Sequence, residues 1–182
     1  MDKPIRLHLG CGPNIKPDYI NVDAWVDHPD VVQADILDLP YEDQSVDEIL
    51  SEHVFEHIGF EQEEVLWRGC FRVLKPGGKM TIETPDMEWL CRQFLVAPDR
   101  FEAFYQRGAK DHYSGHGPGI DNRWGMITTH FFGNQNGEGQ FHKNGYTEGK
   151  FKAIAALVGF SSCDVAFLFN KGAQAIRATL IK

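Results

Sequence analysis

The chain of 182 residues has little that would tie it to a membrane, an oxidising compartment or a nucleic acid. No apolar run reaches the length needed to cross a bilayer, so no membrane partner is expected, and the amino terminus has no apolar stretch of the secretory-leader type. The four cysteines, Cys11, Cys70, Cys91 and Cys163, are far apart and form no C-x-x-C pair. Neither a disulfide scaffold nor a zinc ribbon is expected from them, and the chain reads as reduced, intracellular and cytoplasmic. Lys and Arg number 18 against 26 Asp and Glu, and a formal charge of −8 disfavours a large phosphate-binding surface, so nucleic acid is not an expected partner. Repeats and low-complexity tracts are lacking; the Gly-rich passage 115–149 is irregular and carries His and aromatic residues. With 42% hydrophobic residues the chain can bury the core of one domain spanning 1–182.

What is present starts at Leu7-His8-Leu9-Gly10-Cys11-Gly12-Pro13-Asn14, an apolar strand running into Gly-Cys-Gly. Gly10 and Gly12 let the backbone turn sharply and approach a ligand with no side chain in the way. The third glycine of the dinucleotide pattern G-x-G-x-x-G is missing, because Ile15 stands there, and a plain structural turn is the other reading of this fragment. Tyr19 to Asp23 reads as a second strand whose terminal carboxylate is placed for ribose hydroxyls. Val31 to Ile36 gives a third strand with Asp35 near its end. Ordinary strand-end or turn roles are the alternative for both acids.

Taken in order, LHLGCG, NVD, QADILDLP, SVDEILSEHVFEH and RVLKPGGKMTIETPD resemble the class I S-adenosylmethionine-dependent methyltransferases, nearest the small type 11-like group. Tyr146 to Phe160 is similar to that family's helix before the last two strands, and residues 87–145 stand apart as an insert between the fifth strand and that helix. The resemblance implies an α/β fold: a Rossmann-like methyltransferase sheet derived from the three-layer arrangement, mostly parallel with an antiparallel last strand. It implies S-adenosylmethionine as cofactor and S-adenosylhomocysteine as product. Carried over by position, Leu9, Gly10, Cys11 and Gly12 lie beside the methionine part, Asp23 on the ribose, and Ala24 and Trp25 near the adenine. Asp35 meets the adenine amino group with Ile36 beside it, and Ser51, Glu52 and His53 lie under the sulfonium. The residue types suit the ligand: adenine wants a flat apolar slot with an acceptor, ribose a paired acceptor, and a sulfonium prefers carboxylates or aromatic faces to cations.

The connections predict helices reduced on one face. A parallel crossover needs a dozen or more residues, whereas Gly10 to Asp18 is short and contains Pro13 and Pro17, and Ala24 to Asp30 is equally short. Period-two alternation, with Arg6, His8, Asn21, Gln33 and Glu83 on one side, predicts a face that is wet or covered by something polar. The insert is expected to fold partly over that side, a homodimer being possible only through a modest surface. On the other face, Glu61 to Leu74 places Val65, Leu66, Cys70, Phe71, Val73 and Leu74 at helical spacing. Tyr146 to Val158, started by Thr147, aligns Phe151, Ile154, Ala155 and Val158. Val165 to Phe169 and Ala173 to Ile181 read as closing strands, and Asp86 to Ala97, capped by Asp86, and Pro98 to Arg107 as helices of the insert.

His53-Val54-Phe55-Glu56-His57 spells H-x-x-E-H, the pattern of inverted zinc peptidases. It follows a strand rather than opening a helix, so no metal is expected; Ser51 to His53 line the cofactor pocket and Glu56 and His57 orient the next turn. Methyl transfer needs alignment and, for a hydroxyl acceptor, a base. His112, Tyr113, His116, His130, His142 and Lys143 crowd the insert, with His142 first and His53 second as candidate catalytic residues. A small molecule or sugar is the expected acceptor. Two other readings stay open, a catalytically silent cofactor-fold binding subunit and an enzyme of another nucleotide cofactor.

Overall fold

The computed structural model describes residues 3–96, 129–135, 137–170 and 173–182. Among them seven strands form one sheet: β1 (Arg6–Leu9), β2 (Ile20–Asp23), β3 (Val31–Gln33), β4 (Val46–Glu52), β5 (Leu74–Pro85), β6 (Ser162–Asn170) and β7 (Ala173–Ile181). Their order is β3-β2-β1-β4-β5-β7-β6. The first five are parallel; β7 pairs antiparallel with both β5 and β6. The longer described helices are α1 (Phe60–Val73), α2 (Met87–Val96) and α3 (Glu148–Val158). None is long and apolar enough to cross a membrane.

The crossover argument holds. Residues 10–19, 24–30 and 34–45 contain turns and extended chain but no helix, so the β1–β4 half of the sheet has no helix of its own between strands. On the apolar face Leu7, Leu9, Val22, Ile49, Met80 and Ile82 join Ile176, Ala178 and Leu180 in one core. α1 closes it with Leu66, Trp67, Cys70 and Val73. Trp67 is the centre of an aromatic cluster, edge-on to Phe55 at 5.5 Å, Phe151 at 6.1 Å and Phe160 at 6.2 Å. Two of the expected stripe positions shift outward: Val65 is 54% exposed, like Phe60 on the outer side, and Phe71 is only half-buried. The inward stripe therefore runs through Trp67, Cys70 and Val73 at i+3 steps, with Leu66 four residues before Cys70. α3 starts where expected, Thr147 Oγ1 accepting from the Lys150 amide, and ends at Gly159 in the left-handed region. Asp86 caps α2, its Oδ1 accepting from the amides of Glu88 at 3.0 Å and Trp89 at 3.3 Å. The expected helix from Pro98 to Arg107 lies outside the described residues.

The opposite face is polar, and the strand alignments set its charges against one another. Glu48 of β4 takes Arg6 of β1 at 3.5 Å, Lys79 of β5 at 2.8 Å and the Tyr19 hydroxyl at 3.1 Å. Glu83 of β5 takes Arg177 of β7 at 2.7 Å. On this face His8 and Asn21 are buried, with Lys16 and Tyr19 of the short crossover packed against them. Asn21 Oδ1 accepts from the Lys16 amide at 2.9 Å, its Nδ2 donates to Lys16 and Tyr19 carbonyls, and Tyr19 packs edge-on to His8. The short crossover is long enough to lie flat as a lid on polar residues, and a lid that offers backbone groups satisfies them where a helix face could not. Of the insert, residues 129–132 are helical and 137–146 run along the carboxyl ends of the strands, so the described part borders the cleft rather than the polar face.

Candidate active site

The strand order reverses between β1 and β4, and a cleft of about 1230 Å³ opens outside the carboxyl ends of the strands there, the place where open α/β sheets hold ligands. Gly10 and Gly12 form its floor with φ of 63° and 51°. A Cβ on Gly10 would sit 2.4 Å from Val54 Cγ2, whereas a Cβ on Gly12 would meet nothing within 4 Å and would point into open space. The loop is held by two carboxylates. Asp23 Oδ2 accepts from the Gly12 amide at 2.9 Å, and its Oδ1 accepts from the amides of Trp25 at 2.8 Å and Val26 at 3.2 Å. Glu52, ending β4, pairs with Lys16 at 3.0 Å and accepts from Asn14 Nδ2 at 3.3 Å.

Gly10, Cys11, Gly12, Asp23, Ala24, Trp25, Asp35, Ile36, Glu52 and His53 all line the cleft. Leu9 and Ser51 do not: both are fully buried beneath it, and the Ser51 hydroxyl is spent on the Leu9 carbonyl at 3.3 Å. Both sit within strands, where alternation turned their side chains into the sheet interior. Trp25 is 71% exposed, a flat apolar wall over Gly139 of the insert. Asp35 Oδ1 accepts from the Leu37 amide at 2.9 Å, which fixes the turn at the cleft edge. Burial, then the nearby Asp23 charge, raises the Cys11 thiol.

His53 stands at φ 57° with its amide on the Glu83 carbonyl. Its Nδ1 lies 3.3 Å from Glu56 Oε1 and its Nε2 3.5 Å from Glu83 Oε1. Burial acts to lower its pKa, but the two carboxylates outweigh it and push the imidazole up to about 10. A carboxylate within 3.5 Å of each ring nitrogen holds His53 toward its protonated form, which leaves it less suited than His142 to act as a base. His142 behaves oppositely: burial lowers it, so the ring is neutral. Its Nδ1 lies 2.9 Å from the His130 carbonyl, and its ring stands 4.7 Å from that of His57, whose own Nδ1 lies 3.1 Å from the Phe141 carbonyl. Glu56, 2% exposed, closes the group, and its Oε2 has no hydrogen-bond partner among the described residues. His112, Tyr113 and His116 lie outside the described residues; His130 and Lys143 line the cleft.

Glu83, Glu56 and His57 belong to the cleft without having been read as cofactor or catalytic candidates. The signal in the sequence is the H-x-x-E-H string; Phe55–His57 is a single 3-10 turn, and His53 lies outside it. Glu83 was legible only as a charged member of an alternating strand. Asp23, Asp35, Glu52, Glu56 and Glu83 all line the cleft, Glu52 paired with Lys16 and Glu83 with Arg177, so the carboxylates still outnumber the cations around it, a field that favours a cationic ligand.

Residues 12–82 match the family described as a methyltransferase domain. A probable S-adenosylmethionine-dependent methyltransferase of Mycolicibacterium smegmatis is 37% identical over 98 residues, covering 44% of this chain and 37% of that protein. The chain thus spans well under half the length of that relative. Among solved structures, the Burkholderia thailandensis 1,6-didemethyltoxoflavin-N1-methyltransferase, with 1,6-didemethyltoxoflavin and S-adenosylhomocysteine bound, superposes with TM-score 0.62 at 15% identity, covering 99% of this chain and 72% of that one. A SAM-dependent methyltransferase of Archaeoglobus fulgidus gives 0.60 at 15% identity, covering 98% and 86%. At such identities these likenesses show the fold.

Proposed function

Starting from a chain with the fold and the domain signature of the class I S-adenosylmethionine-dependent methyltransferases, we propose that it binds S-adenosylmethionine in this cleft and moves the methyl group to a small-molecule acceptor. The observation that carries the reading is the glycine loop clamped to Asp23 beside Trp25 and Asp35, at the reversal of strand order. Adenine lies between Trp25 and Ile36 with Asp35 at its amino group. The ribose meets Asp23, and the methionine part follows Gly10 to Gly12.

The carboxylate-rich end near Glu52 and Glu83 receives the sulfonium, where desolvated negative charge stabilises a cation. Methyl transfer itself needs an in-line nucleophile and little covalent help. On the acceptor side stand Glu56, His57 and His142; the neutral His142 is the residue suited to take a proton from a hydroxyl acceptor. The 1,6-didemethyltoxoflavin of the Burkholderia enzyme is a small acceptor, which supports that class here, with a sugar hydroxyl as the narrower version of the proposal.

Calorimetric titration of the purified chain with S-adenosylhomocysteine tests the reading. One site per chain is expected. A folded protein that takes up neither S-adenosylhomocysteine nor S-adenosylmethionine overturns it.

A further inference from the structure

Three features of the acceptor side remain unexplained by cofactor binding. The first is Glu56 Oε2, a buried carboxylate oxygen with no hydrogen-bond partner among the described residues while its sister Oε1 holds His53. Leaving such an atom unpaired costs the full desolvation of the group, so a native structure that keeps one usually has a water or an ion there. The second is the pair His57 and His142, brought to 4.7 Å ring to ring from positions far apart in the chain. The third is what those rings do with their other nitrogens. Each Nδ1 faces a backbone carbonyl, Phe141 for His57 and His130 for His142, and a carbonyl can only accept. Each ring therefore donates from Nδ1, and Nε2 is the nitrogen left to meet a ligand. Fixing the tautomer through a carbonyl in this way is how proteins orient metal-binding imidazoles.

We propose that Glu56, His57 and His142 form a binding site for a divalent transition-metal ion, zinc by the chemistry of its donors. One ligand atom from each of the three lies within 4.8 Å of the others. Modest side-chain closure brings them to the spacing of about 3.3 Å between neighbouring ligands that bonds of about 2.0–2.1 Å impose in a tetrahedron. Two imidazoles and one carboxylate leave a coordination position open, as in zinc sites that act on bound molecules, and all three residues line the cleft. Two nitrogens and a single carboxylate disfavour magnesium and calcium, which want oxygen shells. The framework is rigid on the side that matters. Lys143 and Asn144 amides both donate to the Glu56 carbonyl, at 2.7 and 3.0 Å, and so hold the insert against the 3-10 turn that supplies Glu56 and His57. With the ion in place His142 is a ligand rather than a free base. The site stands on residues other than those clamping the glycine loop, so its occupancy is separable from cofactor binding.

The test is equilibrium dialysis of the chelator-treated full chain against zinc chloride, with metal content measured per chain, beside His57→Ala, His142→Ala, Glu56→Gln and the control His28→Ala. One zinc per wild-type chain is expected, kept by the control. Affinity should fall at least ~100-fold in each histidine variant and ~10-fold or more in Glu56→Gln. Circular dichroism reports whether each variant folds. Should a histidine variant unfold, cobalt(II) added to the intact chain decides: an intense visible spectrum of low-coordinate nitrogen and oxygen ligation is expected, and the weak spectrum of the hydrated ion overturns the proposal. Zinc binding that survives all three substitutions, or a wild type holding no more zinc than the folded variants, overturns it as well. S-adenosylhomocysteine titration of the same samples keeps a failure of this site distinct from a failure of the cofactor reading.

Discussion

The Gly12 amide donates to Asp23 Oδ2 at 2.9 Å, so the turn after β1 is held by the carboxylate that ends β2. Asp23 therefore serves two purposes, as the acceptor proposed for the ribose and as the brace for three backbone amides, those of Gly12, Trp25 and Val26. Asp23→Ala should accordingly lower both affinity and stability. Hydrogen bonds to a charged acceptor are worth about 1.5–3 kcal/mol, which gives a loss of S-adenosylhomocysteine affinity on the order of 10–100-fold with a lower melting temperature. Asp23→Asn keeps one acceptor oxygen and should fall between. Titration and melting of the two variants check this; an alanine variant that melts early yet binds normally would remove Asp23 from the cofactor site.

The two glycines of the loop separate stability from binding. Both have positive φ, but only Gly10 is enclosed, by Val54. Gly10→Ala adds a clash at 2.4 Å to the backbone strain and should cost stability, with poor yield of folded protein and partial recovery in Gly10→Ala with Val54→Ala. Gly12→Ala has room for its methyl group in the cleft. It should melt within a few degrees of the parent, the strain being about 1 kcal/mol, and lose most cofactor affinity because the methyl occupies ligand space. Equal effects of the two substitutions on melting would contradict the geometry.

Much of this site was legible because its parts are local. A strand, a glycine turn and an acid at a strand end are read within a few residues of one another, and the short crossovers announced the missing helices by length alone. Side-chain direction within a strand was harder: Leu9 and Ser51 lie one residue from cleft-lining neighbours and point into the core, a difference of one step in a period of two. What covers His8 and Asn21 depended on a loop lying back over its own strands. The meeting of His57 with His142, and of His53 with Glu83, is set by tertiary contacts that no spacing encodes.

At the far end of β4 from the cleft, Asp47 gives the fold an acid-sensitive tie. Its carboxylate takes Lys75 Nζ at 2.7 Å on both oxygens and the Ile5 amide at 2.8 Å. The Lys75 bond, then the Ile5 amide, holds the carboxyl below the ordinary aspartate range. A group depressed on folding contributes its stability above the unfolded value, about 3.9, and loses it as pH falls through the lower folded value. Melting curves of wild type and Asp47→Asn should therefore differ at pH 7 and converge as pH falls below the ordinary aspartate range. The pair is partly exposed, so the gap should be small and shrink in salt. A gap that widens on acidification would show that Asp47 is not the group responsible.

Trp25 offers a direct reading of where the cofactor lies. It is 71% exposed on the cleft wall, its Nε1 3.2 Å from where a Cβ on Gly139 would stand, whereas Trp67 is fully buried in the aromatic core. An adenine stacked on Trp25 removes that indole from water, so S-adenosylhomocysteine should change the tryptophan emission of the intact chain in a saturable way. Trp25→Phe retains a stacking face and should bind within several-fold of the parent while losing most of the emission change. Gly139→Val should also weaken binding, because the new side chain displaces the indole from the wall. If Trp25→Phe shows the same ligand-dependent change as the parent, another tryptophan reports the binding and the adenine does not rest on Trp25.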